Sequence, residues 1–219
     1  HPVKGIASGE GGMITTNNPD TYHKLTLLRS HGITKGNFEF PGISEPDNAL
    51  INKKEALENG ELKRWYYEMQ HLGYNYRITD IQCALAISQM NKIDLFLDAR
   101  KSMAKFYDQA FLEVPNITPL LAHGRNNSSH HIYVVSIDFE NIGLSRHQFM
   151  QKLAEQGVGS QVHYIPVVSQ PYYQDIGYGI EQYPSTNQYY QNTLSIPLYY
   201  GLSDADQKLV VSSIRELLQ

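Results

Sequence analysis

The 219-residue chain contains one cysteine, Cys83, and one tryptophan, Trp65. A lone thiol excludes an internal disulfide, so no covalent staple holds the fold, and a reducing compartment is the expectation. No apolar run approaches the ~20 residues that a membrane-spanning helix needs. Positive charge is not in excess either: 18 Lys and Arg stand against 22 Asp and Glu, for a formal net charge of -4. That balance lacks the electrostatic footprint of a nucleic-acid binder. Internal repeats and low-complexity tracts are absent. The opening residues, His1-Pro2-Val3-Lys4-Gly5, hold neither an initiator Met nor an apolar signal region. The expectation is a cytoplasmic chain cut from a longer protein, with no membrane or nucleic-acid partner.

What is present is an ordinary globular balance, 41% hydrophobic and 18% charged, which is enough to bury a core. The 16 tyrosines are the outlying number, and many are clustered: Tyr66-Tyr67, Tyr74 and Tyr76, Tyr172-Tyr173, Tyr189-Tyr190, Tyr199-Tyr200. Such rings pack in cores and at the edges of partner and ligand surfaces. The apolar segment 11–16, bounded by Gly and Asn, predicts a strand. Asn18-Pro19 predicts an N-cap with Pro at the first helical position, and His31-Gly32 a helix stop. From Ile33 to about Gly60 the pattern is irregular and predicts a long loop. Thr79-Asp80-Ile81-Gln82 has the form of a capping box opening one long or two consecutive helices. Beyond Pro115, residues 131–139 predict a strand. Ser145 to Gln148 forms a second capping box, with Gly157 as its stop. Residues 160–164 alternate and predict another strand, and Ser203 caps a last helix. Strand, helix, strand, loop and helix in that order describe a small α/β domain.

The candidate chemistry starts at Lys4, in the small-residue context HPVKGIASGEGG. A lysine acts as a nucleophile only when neutral, through a lowered pKa or capture by a cofactor aldehyde. The GEGG run lacks the spacing of a phosphate loop. His130 and His131 are adjacent, so on a strand they face opposite ways, and no metal site is expected from them.

Four segments in chain order carry a family resemblance: HPVKGIASGEGGMITT, LLRSHGI (Leu27 to Ile33), LGYNYRITDIQCALAISQM (Leu72 to Met90) and GVGSQVHYIPV (Gly157 to Val167). Together they resemble the DegT/DnrJ/EryC1/StrS sugar aminotransferases, enzymes of fold type I that use pyridoxal 5'-phosphate (PLP). The stretch from Trp65 to Gln82 and the run SQVHYIPV followed by QPYY are similar to one branch of that family. That branch makes UDP-4-amino-4,6-dideoxy-N-acetyl-β-L-altrosamine for pseudaminic acid.

The resemblance implies an α/β chain: residues 1–116 completing a large PLP-binding domain with a long connecting helix, and 117–219 forming the small C-terminal domain. It implies transfer of the amino group of L-glutamate to C4 of a UDP-linked 4-keto-6-deoxy-N-acetyl hexose, releasing 2-oxoglutarate. A dTDP- or GDP-linked sugar, or a silent fragment active only in dimerisation, are the alternatives. Lys4 would be the lysine that condenses with PLP and then shuttles a proton. Asn75 would reach the cofactor phosphate of the neighbouring subunit of a homodimer. Arg77 would grip a carboxylate or phosphates. Ser160, Gln161, His163 and Tyr164 would meet the nucleotide sugar. Relatives often carry His two residues after the Pro of His-Tyr-x-Pro, where this chain has Val168. The Asp that pairs with the pyridinium nitrogen in the family lies outside these residues.

Overall fold

A computed structural model of the chain describes residues 4–35, 53–59, 61–120 and 127–219. The residues fall into two compact units: 8–85, and 86–219 together with the opening residues 1–7. Among the described residues no helix is long and apolar enough to cross a membrane.

In the first unit, α1 (Pro19–Leu28) begins as its sequence predicts. Asn18 caps it, Oδ1 accepting the Thr21 N–H at 2.9 Å, with Pro19 at the first turn. Short pieces follow: β1 (Ile33–Thr34), α2 (Lys53–Ala56), β2 (Leu57–Glu58), β3 (Glu61–Leu62) and β4 (Glu68–Met69). β2 and β3 form a hairpin, and β1 pairs antiparallel with β4. The stretch 33–60 is therefore not all irregular; residues 36–52 and 60 of that expected loop lie outside the described ones. The expected strand at 11–16 pairs with no strand among the described residues. Met13 and Ile14 are 88% and 73% exposed, so this segment has an apolar sequence without the ladder that would make it a strand.

The next helices are α3 (Asp80–Met90) and α4 (Ile93–Phe111), consecutive rather than continuous. The Thr79 capping box is present: Gln82 Oε1 accepts the Thr79 N–H, and Thr79 Oγ1 accepts the Gln82 N–H. α4 buries Arg100, Met103, Ala104, Tyr107 and Phe111, a stripe at helical spacing.

The second unit is built on a three-stranded antiparallel sheet in the order β5 (Ile117–Pro119), β6 (Tyr133–Ile137), β7 (Thr193–Ile196). β6 alternates buried and half-buried positions, whereas all four residues of β7 are buried. Packed with this sheet are α4, α5 (Arg146–Glu155) and α8 (Asp204–Leu217). Between α5 and β7 lie α6 (Pro171–Asp175) and α7 (Pro184–Asn192). The core includes Tyr107, Phe111, Tyr133, Phe149, Leu153 and Ile214, each at most 1% exposed. Its tyrosines keep their hydroxyls satisfied: Tyr107 donates to the Pro197 carbonyl at 2.9 Å and Tyr133 to Asp108 Oδ1 at 2.6 Å.

The Ser145 capping box forms reciprocally, with Gly157 in the left-handed region just past the helix (φ 80°). Ser203 Oγ accepts the Asp206 N–H to cap α8. The expected strand at 160–164 is not one. Only Gln161 pairs, through a single antiparallel bridge to Ser195 with backbone bonds of 3.0 and 2.8 Å. That bridge covers the outer edge of β7, whose other edge is held by β6.

Candidate functional site

In the first unit, two of the segments that carry the family resemblance lace together through their backbones. The His31 N–H donates to the Tyr74 carbonyl at 2.7 Å, the Tyr74 N–H to Leu28 at 2.7 Å, and the Tyr76 N–H to Arg29 at 2.9 Å. Glycine permits this approach. A Cβ on Gly32 (φ 68°) would overlap the His71 carbonyl, and one on Gly73 would lie 2.8 Å from the Leu28 carbonyl oxygen and closer still to the Gly32 nitrogen. Asn75 is thereby bridged to Ser30. Tyr74 and Tyr76 stack with ring centroids 4.8 Å apart. Asn75 and Arg77 alternate in sequence with these two stacked rings. Both are exposed.

The GEGG segment is tied to the same unit by Gln82, whose Nε2 donates to the Glu10 carbonyl at 2.7 Å. Gly9 (φ 88°) rests against that Gln82 side chain. One glutamine thus caps α3 and holds the segment that follows the lysine region.

In the second unit, an open cavity of about 460 Å³ is walled by Arg100 of α4, His131 and Ile132 just before β6, residues 159–161 and 163, the end of β7 and the residues 197–199 that follow it. Its lining is mostly apolar; Arg100, His131, Ser160, Gln161, His163 and Ser195 supply polar groups to it, and no carboxylate among the described residues lines it. Three of the sequence-predicted residues, Ser160, Gln161 and His163, are brought together here. Tyr164 is 66% exposed and stands edge-on to the His163 ring, centroids 4.6 Å apart, without lining the cavity. His163 Nδ1 lies 2.8 Å from Ser195 Oγ.

Lys4 belongs to this unit and is exposed. His131, on the cavity wall, has its pKa lowered from 6.5. Burial is the first cause, followed by the positive charges of Lys4, Arg100 and His163. Asn75 and Arg77 belong to the other unit.

Sequence reading missed Arg100, His131 and Ser195 as wall residues. Arg100 is 7% exposed, and its Nη1 donates to the carbonyls of His130, His131 and Leu198 at 3.3, 3.3 and 3.2 Å. Burial lowers its pKa. Its Nε and the Ser160 hydroxyl are sealed without hydrogen-bond partners. An arginine on the apolar stripe of a helix was the available signal, since such a charge is buried only where carbonyls or anions receive it.

Whether PLP suits these residues can be judged from the donor set. The exposed Lys4 amine suits the aldehyde. A cavity with a guanidinium, an imidazole and hydroxyls but no carboxylate suits an anionic group. The described wall offers no acid for a pyridinium nitrogen. The residues present therefore fit the reacting end of the group and its anions.

A model of the DegT/DnrJ/EryC1/StrS aminotransferase family matches residues 1–215. The chain is 32% identical over 221 residues to the spore coat polysaccharide biosynthesis protein SpsC of Bacillus subtilis (strain 168), covering 100% of this chain and 52% of that protein. It is 30% identical over 219 residues to a UDP-4-amino-4,6-dideoxy-N-acetyl-beta-L-altrosamine transaminase of Campylobacter jejuni, covering 100% and 51%. The chain thus spans about half the length of the curated relatives it matches. Among solved structures, the PMP-form of the putative sugar aminotransferase Spr1654 from Streptococcus pneumoniae aligns with a TM-score of 0.73 at 25% identity, over 93% of this chain and 46% of that one. Helicobacter pylori PseC, an aminotransferase of pseudoaminic acid biosynthesis, aligns with a TM-score of 0.72 over 93% and 47%; at 24% identity it shows the fold alone.

Proposed function

Because this chain belongs to the DegT/DnrJ/EryC1/StrS aminotransferase family, we propose that it forms the lysine-bearing half of a PLP-dependent enzyme that aminates a nucleotide-linked keto sugar. The observation that carries the reading is Lys4, an exposed amine in the segment HPVKGIASGEGG and in the same compact unit as the cavity lined by Ser160, Gln161 and His163. The finer assignment is L-glutamate as donor and C4 of a UDP-linked 4-keto-6-deoxy-N-acetyl hexose as acceptor. It draws support from the 30% identity to the altrosamine transaminase.

Lys4 would hold the aldehyde end of PLP, and Asn75, an amide that donates without adding charge, would hold its phosphate across a homodimer. When bound, the cofactor supplies the electron sink that acidifies the C–H beside the transferred nitrogen. The Lys4 amine would carry that proton from the substrate carbon and return it. Arg77 presents a planar fork to the donor carboxylate. Gln161 and His163 would offer hydrogen-bonding groups to the sugar nucleotide, with Ser160 and Tyr164 beside them. Val168 leaves an apolar side chain where relatives often present an imidazole. The division of the chain at about residue 116 into the end of a large domain and a small domain belongs to the same proposal.

The test is made on a form of the protein extended to the length of its relatives. Incubation with PLP should give an absorbance band at the edge of the visible range, and borohydride should leave the cofactor covalently on Lys4. Lys4→Ala should abolish the label and lower turnover by at least the ~10²–10⁴-fold expected for loss of a positioned proton carrier. A label on another residue, or none, would sink the reading. Turnover compared on UDP-, dTDP- and GDP-linked keto sugars assigns the nucleotide.

A further inference from the structure

The Ser195 hydroxyl sits at an unusual junction. It lies on β7, is 6% exposed, and belongs to the residue whose backbone is bonded both ways to Gln161, two positions before His163. Among the described residues its one side-chain hydrogen bond is to His163 Nδ1 at 2.8 Å. His163 is half-buried, and its other nitrogen, Nε2, has no hydrogen-bond partner among the described residues and is not among their sealed polar atoms. That nitrogen keeps access to the cavity, which His163 lines.

We propose that Ser195 is a positioning residue that fixes His163 as an Nδ1 acceptor, so that the imidazole presents an Nε2–H donor to the cavity. A hydroxyl proton and an imidazole nitrogen can pair in two ways. If Nδ1 carried the proton and donated to Ser195 Oγ, the serine O–H, on a residue only 6% exposed, would have no acceptor among the described residues. If Ser195 donates to Nδ1, both groups are satisfied and the ring proton is on Nε2. The second arrangement is favoured because it alone pairs both the hydroxyl and Nδ1 within the described residues. The two Gln161–Ser195 backbone bonds hold the loop in register with β7, so the hydroxyl and the ring meet at a fixed separation. The result is a directional neutral donor in a wall that also carries Arg100 and no carboxylate. The group it meets is an oxygen acceptor, a carboxylate or a phosphate. This use toward substrate rests on the aminotransferase reading; the placement of the proton does not.

The test is a long-range nitrogen–proton correlation spectrum of the chain labelled at histidine nitrogen, recorded above the ordinary imidazole titration range. His163 is assigned by its loss in His163→Gln. The expected result is an unprotonated, hydrogen-bonded Nδ1 and a protonated Nε2. Ser195→Ala should move the Nδ1 resonance toward that of an unbonded nitrogen, and Ser195→Thr, which keeps the hydroxyl, should restore it. A protonated Nδ1 in the native chain overturns the proposal, and this outcome needs no variant to fold. An unchanged Nδ1 in a folded Ser195→Ala chain also overturns it. The spectrum requires neither cofactor nor turnover, so a Ser195-bonded imidazole in this chain together with an extended form that takes no PLP label on Lys4 refutes the aminotransferase reading alone. Adding inorganic phosphate and L-glutamate separately then identifies which anion moves the Nε2–H signal.

Discussion

At the scale of single residues, His131 is the most informative group in the chain. Its pKa lies below 6.5 because burial and the charges of Lys4, Arg100 and His163 all oppose a further proton. The sign follows from linkage. The unfolded chain takes up the proton first as pH falls, so the stability tied to a neutral His131 is complete above about 6.5 and declines as pH drops toward the folded-state value. His131→Gln should flatten that part of the acid stability profile. Lys4→Gln removes one of the opposing charges and should raise the His131 midpoint toward 6.5 in a proton NMR titration; an unmoved midpoint would place Lys4 away from the cavity. Added salt should shrink the contribution of exposed Lys4 and leave that of burial intact.

At the scale of elements, local and non-local devices are separable. The capping box of α5 is a local device: Ser145 and Gln148 exchange side-chain-to-backbone bonds of 3.2 and 2.9 Å across three residues. Ser145→Ala should cost about 1 kcal/mol in urea unfolding of the unit that holds it. The lacing of 28–32 with 71–76 is non-local and depends on the absence of a side chain at Gly73. Gly73→Ala should therefore cost at the upper end of the ~1–3 kcal/mol range for overpacking, because the clash is with backbone. It should also lower the protection of the His31, Tyr74 and Tyr76 amides in hydrogen exchange. If those amides exchange as before, the segments are not held by this contact. The caps were legible because a capping box is written in four consecutive letters. The lacing was not, because Gly32 and Gly73 reveal their purpose only when the two segments meet.

On the scale of the molecule, the two units differ in how they treat apolar surface. The unit of residues 86–219 with 1–7 buries a continuous core, and Phe149→Ala there should cost about 3–5 kcal/mol, enough to threaten the unit as a whole. In the unit of residues 8–85, by contrast, the opening turns of α3 leave Ile81 and Leu85 76% and 51% exposed, and α3 as a whole has no buried residue. Apolar faces of that kind mark interaction surfaces or aggregation liabilities. This chain should bind an apolar fluorescent dye and self-associate at micromolar concentration. Ile81→Glu with Leu85→Glu, one turn apart on a single face, should reduce both in dye binding and light scattering.

By itself, the sequence determined the family, the α/β character, the helix starts at Asn18, Thr79, Ser145 and Ser203, and Lys4 as the candidate nucleophile. Each of these is written within a few neighbouring residues or in motifs that keep their order. It did not reveal β7, the absence of a ladder at 11–16 and 160–164, or the cavity. A strand exists only through its partner, and the cavity wall is assembled from residues 100, 131, 159–163 and 195–199. Arg100 donates to a carbonyl 98 positions away, and Ser195 meets His163 across 32. Contacts at such separations are decided by how the helices and sheet pack, because that packing alone determines which distant polar groups leave water together and must satisfy one another.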